Sequence, residues 1–283
     1  VDHILIIKPS SLGDVVHTLP AVHFIKQTFP NSKISWVINS EWAPLLSGNA
    51  DVDSVIPFPR SDFLGPIGLL RFLSWSRELA KVRPDLVLDF QGLLRSAWIA
   101  RSARAGRILG LSDAREGAHW FYHEKALVNS SQHAVDRYLE LAKLAGSDVS
   151  GPAVLPLPEG KAIRDFEVPA RVVILHPFAR GAGKSLTGEE VFQISRLLAP
   201  FPLIVVGKSD EDLRLDRNAI SLVNETSLEE LIWLLRRAAF VISVDSGPMH
   251  IAAALTANLL SIHLWSDPCR VGPYNPDAWV WKD

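Results

Sequence analysis

Cysteine is almost absent from this chain: among 283 residues only Cys269 carries a thiol. That excludes an intrachain disulfide framework and a cysteine-rich metal cluster, and a reducing cytoplasm is the expected compartment. Net charge is nearly absent too, at −2, which argues against a general nucleic-acid binder, whose affinity rests on neutralising phosphates. No apolar run approaches the ~20 residues that cross a bilayer. The amino terminus, "VDHILIIKPSSLGD", has no basic stretch leading into a long apolar one and reads as a first strand, not a secretion signal. Metal-ligand spacing is missing as well. His17 and His23 fall off a common helical face, "DVD" at 51–53 precedes a strand, and no Asp-x-Asp pair is read at a strand end facing a nucleotide. A soluble protein needing neither metal nor organic cofactor is expected.

What is present is a large hydrophobic fraction, 48% against 21% charged, enough for a substantial core. Short apolar runs alternate with amphipathic ones: "HILIIK", "KISWVIN", "VDSVIPF", "DLVLDFQ" and "RILGL" as strands, with helices over 14–29, 66–83, 93–103 and 132–145. This is the rhythm of a parallel sheet covered on both faces. It breaks at "SDVSGPAVLPLPEG", rich in proline and glycine, and then resumes. The second series has strands at "RVVILHP", "PLIVVG", "SLVNE", "FVISVD" and "LLSIHLW", and helices near 188–199, after Glu211, over 227–238 and from 248. The expected architecture is α/β, with two Rossmann-like domains, 1–152 and 153–283, whose parallel sheets face a central cleft. Ligands in such sheets sit beyond the carboxyl ends of the strands.

"VVILHPFARGAGKSL" invites a P-loop reading of Lys184. The motif needs glycine five positions before the Gly-Lys pair, and that position is Phe178. Lys184 is therefore expected to meet a phosphate outside a Walker cradle. In "KPSSLGDVVHTLPA", Ser10, Ser11 and Gly13 form a turn and Asp14 opens the next helix, either as a cap or as a general base. In "FVISVDSGPMHIAAAL", Asp245, Ser246 and Gly247 lead from a buried strand into a helix with Pro248 at its first position. That turn is either an anion site at a helix amino terminus or an ordinary capped turn, with His250 on the first turn of the helix, either joining the site or structural. Glu211, after "PLIVVG", either receives ribose hydroxyls or is solvated. Gln91, Gly92 and Arg95 follow a strand in the first half. Arg115, His133 and Arg137 make either a cationic pocket for an acidic acceptor or surface charges paired with Glu116 and Asp136. Together these features put a diphosphate and ribose in the carboxyl half, with Asp14 across the cleft.

"ILIIKPSSLGDVVHTLPA", "DLVLDFQGLLRSA", "SDAREGA", "QHAVDRYLEL" and "FVISVDSGPMHIAAAL" resemble, in this order and over nearly the whole chain, the ADP-heptose:lipopolysaccharide heptosyltransferases of glycosyltransferase family 9, in particular the type I branch that adds the first heptose to Kdo-lipid A. The resemblance implies the GT-B fold, an acceptor-binding first domain, a nucleotide-sugar-binding second domain, and inverting, metal-independent transfer. It implies that Asp14 is the catalytic base and that Lys184 stabilises the departing diphosphate. Glu211 would hold the ribose, and Asp245, Ser246, Gly247 and His250 the phosphate turn. Ser11, Gly13, Gln91, Arg95, Arg115, His133 and Arg137 would face the acidic acceptor. The enzyme would work in the cytoplasm, peripheral to the inner face of the inner membrane, with no nucleic-acid partner.

Three departures accompany the likeness. The family usually follows the lysine with Trp-Pro, where this chain has Ser185, Leu186 and Thr187. Its type I members carry a dense basic loop where "FPRSDFLGPIG" keeps only Arg60. The closing "NPDAWVWKD" is barely long enough to begin the helix that commonly crosses back to the first domain. The alternatives are a related glycosyltransferase with another nucleotide sugar or glycan acceptor, an ATP-binding hydrolase built on Lys184, and a silent nucleotide-sugar binder.

Overall fold

The structure, a computed structural model, describes residues 1–181 and 183–283; Ala182, in the loop before Lys184, and the side chain of Pro66 lie outside the description. The chain divides into two compact units, Val1–Pro156 and Leu157–Asp283. The division falls in the proline-rich stretch that suggested it, a little beyond the expected 152/153.

The first unit holds six parallel strands: β1 (His3–Ile7), β2 (Lys33–Asn39), β3 (Ser54–Phe58), β4 (Leu86–Asp89), β5 (Arg107–Leu111) and β6 (Glu124–Ala126). Their spatial order is β3-β2-β1-β4-β5-β6. Central β1 pairs Ile4 with both Ile34 and Leu86, and Ile7 with both Val37 and Asp89. Strands covered on both faces read as continuous apolar runs, which is why "HILII" and "LVL" were visible. Helices α1 (Leu12–Thr28) and α4 (Ala134–Leu144) pack together, while α2 (Gly65–Leu79) and α3 (Leu94–Ser102) bury Leu79, Ala97 and Ala100 against Leu5, Val87 and Ile108. Strand β6 was not anticipated; "EKA" is too short and polar to carry a period-2 signal. The α2 helix ends at Leu79, earlier than the expected 83.

The second unit repeats this plan with β7 (Val173–His176), β8 (Leu203–Gly207), β9 (Ala219–Val223), β10 (Phe240–Val244), β11 (Leu259–His263) and β12 (Trp279–Lys282), in the order β12-β11-β10-β7-β8-β9. Its helices are α5 (Gly188–Leu197), α6 (Leu228–Leu235), α7 (Gly247–Leu255) and the single turn α8 (Pro268–Val271). One expectation is corrected, and one open question is answered. No helix follows Glu211: the segment to Asn218 is irregular, and Leu213 and Leu215 both pack on the core, a two-residue alternation that a helix would not give. The carboxyl end does not begin a crossing helix. Its "WVWK" forms an edge strand parallel to β11, pairing Trp279 with Leu260 and Trp281 with Ile262, as its aromatic and β-branched composition favours.

Each unit therefore reverses strand order once, between β1 and β4 and between β7 and β10. The loops beyond the carboxyl ends of these four strands are the places where such sheets bind ligands.

Candidate functional site

At the first switch point Lys8, the residue after β1, is 3% exposed. Its Nζ donates to the Phe90 carbonyl at 3.0 Å, beyond β4, and to the Tyr138 hydroxyl at 2.8 Å, on α4. Tyr138 in turn donates to Asp14 Oδ1 at 3.3 Å, and Lys8 Nζ stands 4.0 Å from the same oxygen. Asp14 Oδ2 accepts from the Ser11 amide at 3.0 Å and the Ser11 hydroxyl at 2.6 Å. The capping reading thus holds for one carboxylate oxygen, while the other meets Tyr138 and Lys8. Burial alone would raise the Asp14 pKa; the Lys8 ammonium and the two Ser11 hydrogen bonds outweigh it and hold the carboxyl well below its usual range. Burial lowers the Lys8 pKa, with Asp14 and Asp89 opposing. Burial also pushes the Tyr138 phenol up, reinforced by Asp14, so it stays neutral. The Asp14 side chain keeps 38% of its surface exposed and can meet a bound molecule.

Around this pair, Gln91 Oε1 accepts from the Ser10 amide at 3.1 Å, tying the loop after β4 to the loop after β1. Gly13 is buried in the first turn of α1. Gly92 adopts φ +67° with its virtual Cβ 3.4 Å from Ala114 Cα, and its carbonyl accepts from the Arg115 amide at 2.8 Å. A side chain there would be strained. The loop is anchored by Asp89, wholly buried, which accepts from Tyr122, Ser96 and the amides of Gln91 and Gly92.

The expected cationic cluster forms in part. The guanidiniums of Arg137 and Arg115 both act on Lys8 through space. Arg137 pairs with Asp113, not Asp136, and its buried Nε has no hydrogen-bond partner among the described residues. Glu116 accepts from the Leu94 amide at 3.2 Å instead of pairing with Arg115. His133 caps α4, its Nδ1 accepting from the Val135 amide at 3.1 Å, and stacks edge-on with His17. Arg95 is exposed on the first turn of α3.

At the second switch point His176 ends β7 and Ser246 follows β10, the Ser246 hydroxyl lying 3.2 Å from His176 Nδ1. Burial lowers the His176 pKa to about 4, so the ring is neutral. Ser246 is the N-cap of α7; Gly247 is the first helical residue and Pro248 the second, one place later than expected. His250 Nε2 lies 3.8 Å from Asp245 Oδ1. The helix amino terminus therefore opens beside Asp245, Ser246 and His250, a ready anion site.

Lys184 lies in the loop from Pro177 to Leu186, which closes through the Leu186 amide on Pro177 at 2.9 Å and through Ser185 Oγ on Ala179. Helix α5 starts later, capped by Thr187 with Glu190. The lysine is thus three residues ahead of the cap, unlike the helix-borne lysine of a P-loop. Its Nζ sits 3.6 Å from the centroid of the exposed Trp265 ring, beyond β11. Glu211 is exposed after β8, its Oε2 4.0 Å from where a Cβ on Gly188 would stand, hence beside the amino terminus of α5. Asp210 and Asp212 flank it, a strand-end Asp-x-Asp that the sequence reading had denied. Among the described residues no three His, Cys, Asp or Glu side chains converge as a metal site would.

Sequence reasoning missed Lys8, Tyr138, Asp89, His176 and Trp265. Lys8 and Trp265 follow strands and Asp89 and His176 end them, which could have marked them; Tyr138, inside α4, carries no such signal.

The family model described as Glycosyltransferase family 9 (heptosyltransferase) matches residues 72–185 and 204–282. Lipopolysaccharide heptosyltransferase 1 of Salmonella typhimurium is 31% identical over 300 residues, covering 96% of this chain and 91% of its own. The Pseudomonas aeruginosa protein of that name is 30% identical, covering 96% and 81%. Among solved structures, the E. coli heptosyltransferase WaaC with ADP matches at a TM-score of 0.81 and 27% identity, over 99% of this chain and 93% of that one. A second form of it holds ADP-2-deoxy-2-fluoro heptose, at a TM-score of 0.80 over 99% and 92% of the two chains, with 27% identity.

Proposed function

Because the chain belongs to glycosyltransferase family 9, the heptosyltransferases, we propose that it transfers heptose from ADP-heptose to Kdo-lipid A in assembly of the lipopolysaccharide core. The relatives named above as lipopolysaccharide heptosyltransferase 1, and the WaaC structures with ADP and an ADP-heptose analogue, support donor and acceptor class.

The observation that carries the reading is Asp14: ionised, fixed by Ser11 and Tyr138, and partly open at the switch point of the first sheet. It takes the proton of an acceptor hydroxyl while that oxygen bonds to the anomeric carbon and the bond from that carbon to the diphosphate oxygen breaks. ADP leaves with the electron pair. Attack on the face opposite the leaving group inverts the centre. Lys184 and the amino terminus of α7, with Ser246, Gly247 and His250, take up the negative charge on the diphosphate, so no metal is required. Glu211, beside the start of α5, receives the ribose. Arg115 and Arg137 meet the acidic acceptor, with Arg95, Gln91 and His133 around them.

No helix among the described residues is long and apolar enough to cross a membrane. A lipid acceptor then has the protein working on the cytoplasmic face of the inner membrane as a peripheral enzyme.

The test is ADP release from ADP-heptose, with and without Kdo-lipid A, in EDTA, for the wild type and Asp14→Ala. Acceptor-dependent release that survives EDTA, and falls by about 10²- to 10⁴-fold in the variant with donor affinity retained, is expected. Release that needs a divalent ion would end the metal-independent mechanism. Release that ignores the acceptor would end the transferase reading.

A further inference from the structure

A surface helix normally shows water its polar side. Helix α2 does not. Its inner face is apolar as required, with Phe72, Trp75 and Leu79 on the core of the first unit. Yet Ile67 and Leu70 on the outer side are 67% and 68% exposed, Leu73 continues the row, and Leu64, the N-cap residue just before the helix, is 75% exposed. Within the helix, Ile67, Leu70 and Leu73 recur every three residues and keep to the side away from Phe72, Trp75 and Leu79. On the next helix over the same sheet face, Trp98 is also half exposed. Contiguous exposed apolar surface of this kind marks an interaction site.

The surroundings of the row say what covers it. Toward its carboxyl end the helix runs into a shallow depression lined by Arg77, Lys81, Arg83 and Arg104. Lys81 is neutralised by Glu78 at 2.6 Å, but the three arginines make no ion pair among the described residues, nor does Arg71 within the helix. A helix with leucine and isoleucine outward, an interfacial tryptophan beside it and unpaired arginines at its end has the composition of one lying in the plane of an anionic lipid surface. A second protein would need carboxylates set among apolar contacts; a bilayer offers acyl chains under a sheet of phosphates with no such register.

We propose that the outer face of α2, with Arg77, Arg83 and Arg104, docks the first unit on an anionic phospholipid bilayer. The proposal rests on the reading that the acceptor is a lipid, and it names the surface that meets the membrane. All six strands of this unit run parallel, so Leu64, which follows β3, lies at the sheet edge that carries Asp14 after β1. The helix then runs back across the sheet to Arg83 and Arg104, which precede β4 and β5, so docking lays one flank of the unit along the bilayer with the edge that carries Asp14 at one end of the contact.

The test is flotation of the full chain with vesicles of phosphatidylethanolamine and phosphatidylglycerol, against phosphatidylcholine alone. Wild type would be compared with Ile67→Ser/Leu70→Ser and with Arg77→Gln/Arg104→Gln. Both pairs are exposed, and unchanged far-ultraviolet circular dichroism checks their folding. The apolar pair is expected to weaken vesicle partition roughly tenfold, and the arginine pair to abolish both the preference for phosphatidylglycerol and the salt sensitivity. Turnover on a deacylated, water-soluble acceptor is expected to stay unchanged in both variants. Equal flotation of wild type and the apolar variant overturns the proposal. So does a wild-type dimer that the apolar variant dissociates while neither floats, which would assign the face to a second copy. A wild type that floats but transfers no heptose refutes the transferase reading and leaves the docking surface standing; one that transfers but never floats does the reverse.

Discussion

The buried ammonium of Lys8 stands 4.0 Å from the Asp14 carboxylate, and Tyr138 bridges them, accepting from Lys8 at 2.8 Å and donating to Asp14 at 3.3 Å. Three elements meet in this contact: the end of β1, the first turn of α1 and the middle of α4. The arrangement keeps Asp14 ionised although its partial burial favours the neutral acid. A carboxylate held this way stays unprotonated well into acid, and its oxygen shared with Tyr138 sits where an incoming hydroxyl can replace a weak hydrogen bond.

Lys8→Met removes the charge at nearly constant volume. With the ammonium gone, the largest influence opposing burial is lost and the Asp14 pKa rises. The acidic limb of the pH dependence of kcat/KM is then expected to move to higher pH, so activity is lost first on the acid side. Affinity for ADP, measured by calorimetry, is expected to remain within about twofold, a change of under ~0.5 kcal/mol. An unshifted acidic limb would remove Lys8 from control of the base.

Much of the fold was legible because parallel strands buried on both sides must be apolar throughout, and "HILII" or "FVISV" has few other uses. The irregular segment after Glu211 was not legible. Its charged residues suit an exposed helix, and only the packing of Leu213 and Leu215 on the second core fixes it as extended. Within the site, Asp14 and Lys184 stood out in glycine-rich turns. Lys8 did not, since a lysine after a strand is ordinarily solvated. Its burial comes from Phe90 and Tyr138, distant in sequence, and no local pattern carries that information.

Trp265 is expected to tune the diphosphate site. Its ring lies 3.6 Å from Lys184 Nζ, and a cation over an exposed aromatic face gains about 0.5–1 kcal/mol. Trp265→Ala should therefore weaken ADP binding by roughly two- to fivefold, with Trp265→Phe in between. Lys184→Met should lower kcat by about 10²-fold or more, since it removes charge stabilisation that grows in the transition state. Titration with ADP, followed by turnover at saturating donor, separates the two effects. Equal loss of affinity and no loss of kcat in Lys184→Met would make the lysine a ground-state ligand only.

Gly207, the last residue of β8, is held at φ +130°, and a Cβ there would stand 2.7 Å from Phe178 Cδ2 and 3.1 Å from His176 Nε2. Both the backbone angle and the contact oppose a side chain. Gly207→Ala is expected to destabilise the protein by about 1–3 kcal/mol, the usual range for overpacking a tight contact, and to weaken ADP binding by displacing His176 from Ser246. Urea denaturation gives the first effect and calorimetry the second. A variant with unchanged midpoint would show that His176 and Phe178 yield without strain.

His176 also sets a pH dependence of stability. Burial lowers its folded-state pKa from 6.5 to about 4, so between those values the unfolded chain binds a proton that the folded one refuses. Stability must then fall as the pH drops from about 6.5 toward 4, by up to ~3 kcal/mol from this group at 1.36 kcal/mol per unit. Below pH 4 the folded ring is protonated too and the loss levels off. Above 6.5 the ring is neutral in both states and contributes no slope. His176→Gln keeps a polar group near Ser246 but cannot titrate. Its urea midpoint, followed between pH 7 and 4, is expected to decline less steeply than that of the wild type, with the difference confined to that window. Parallel curves would assign the acid sensitivity of the protein to its carboxylates, Asp14 among them, whose depressed pKa makes folding weaken in the same direction as the pH falls.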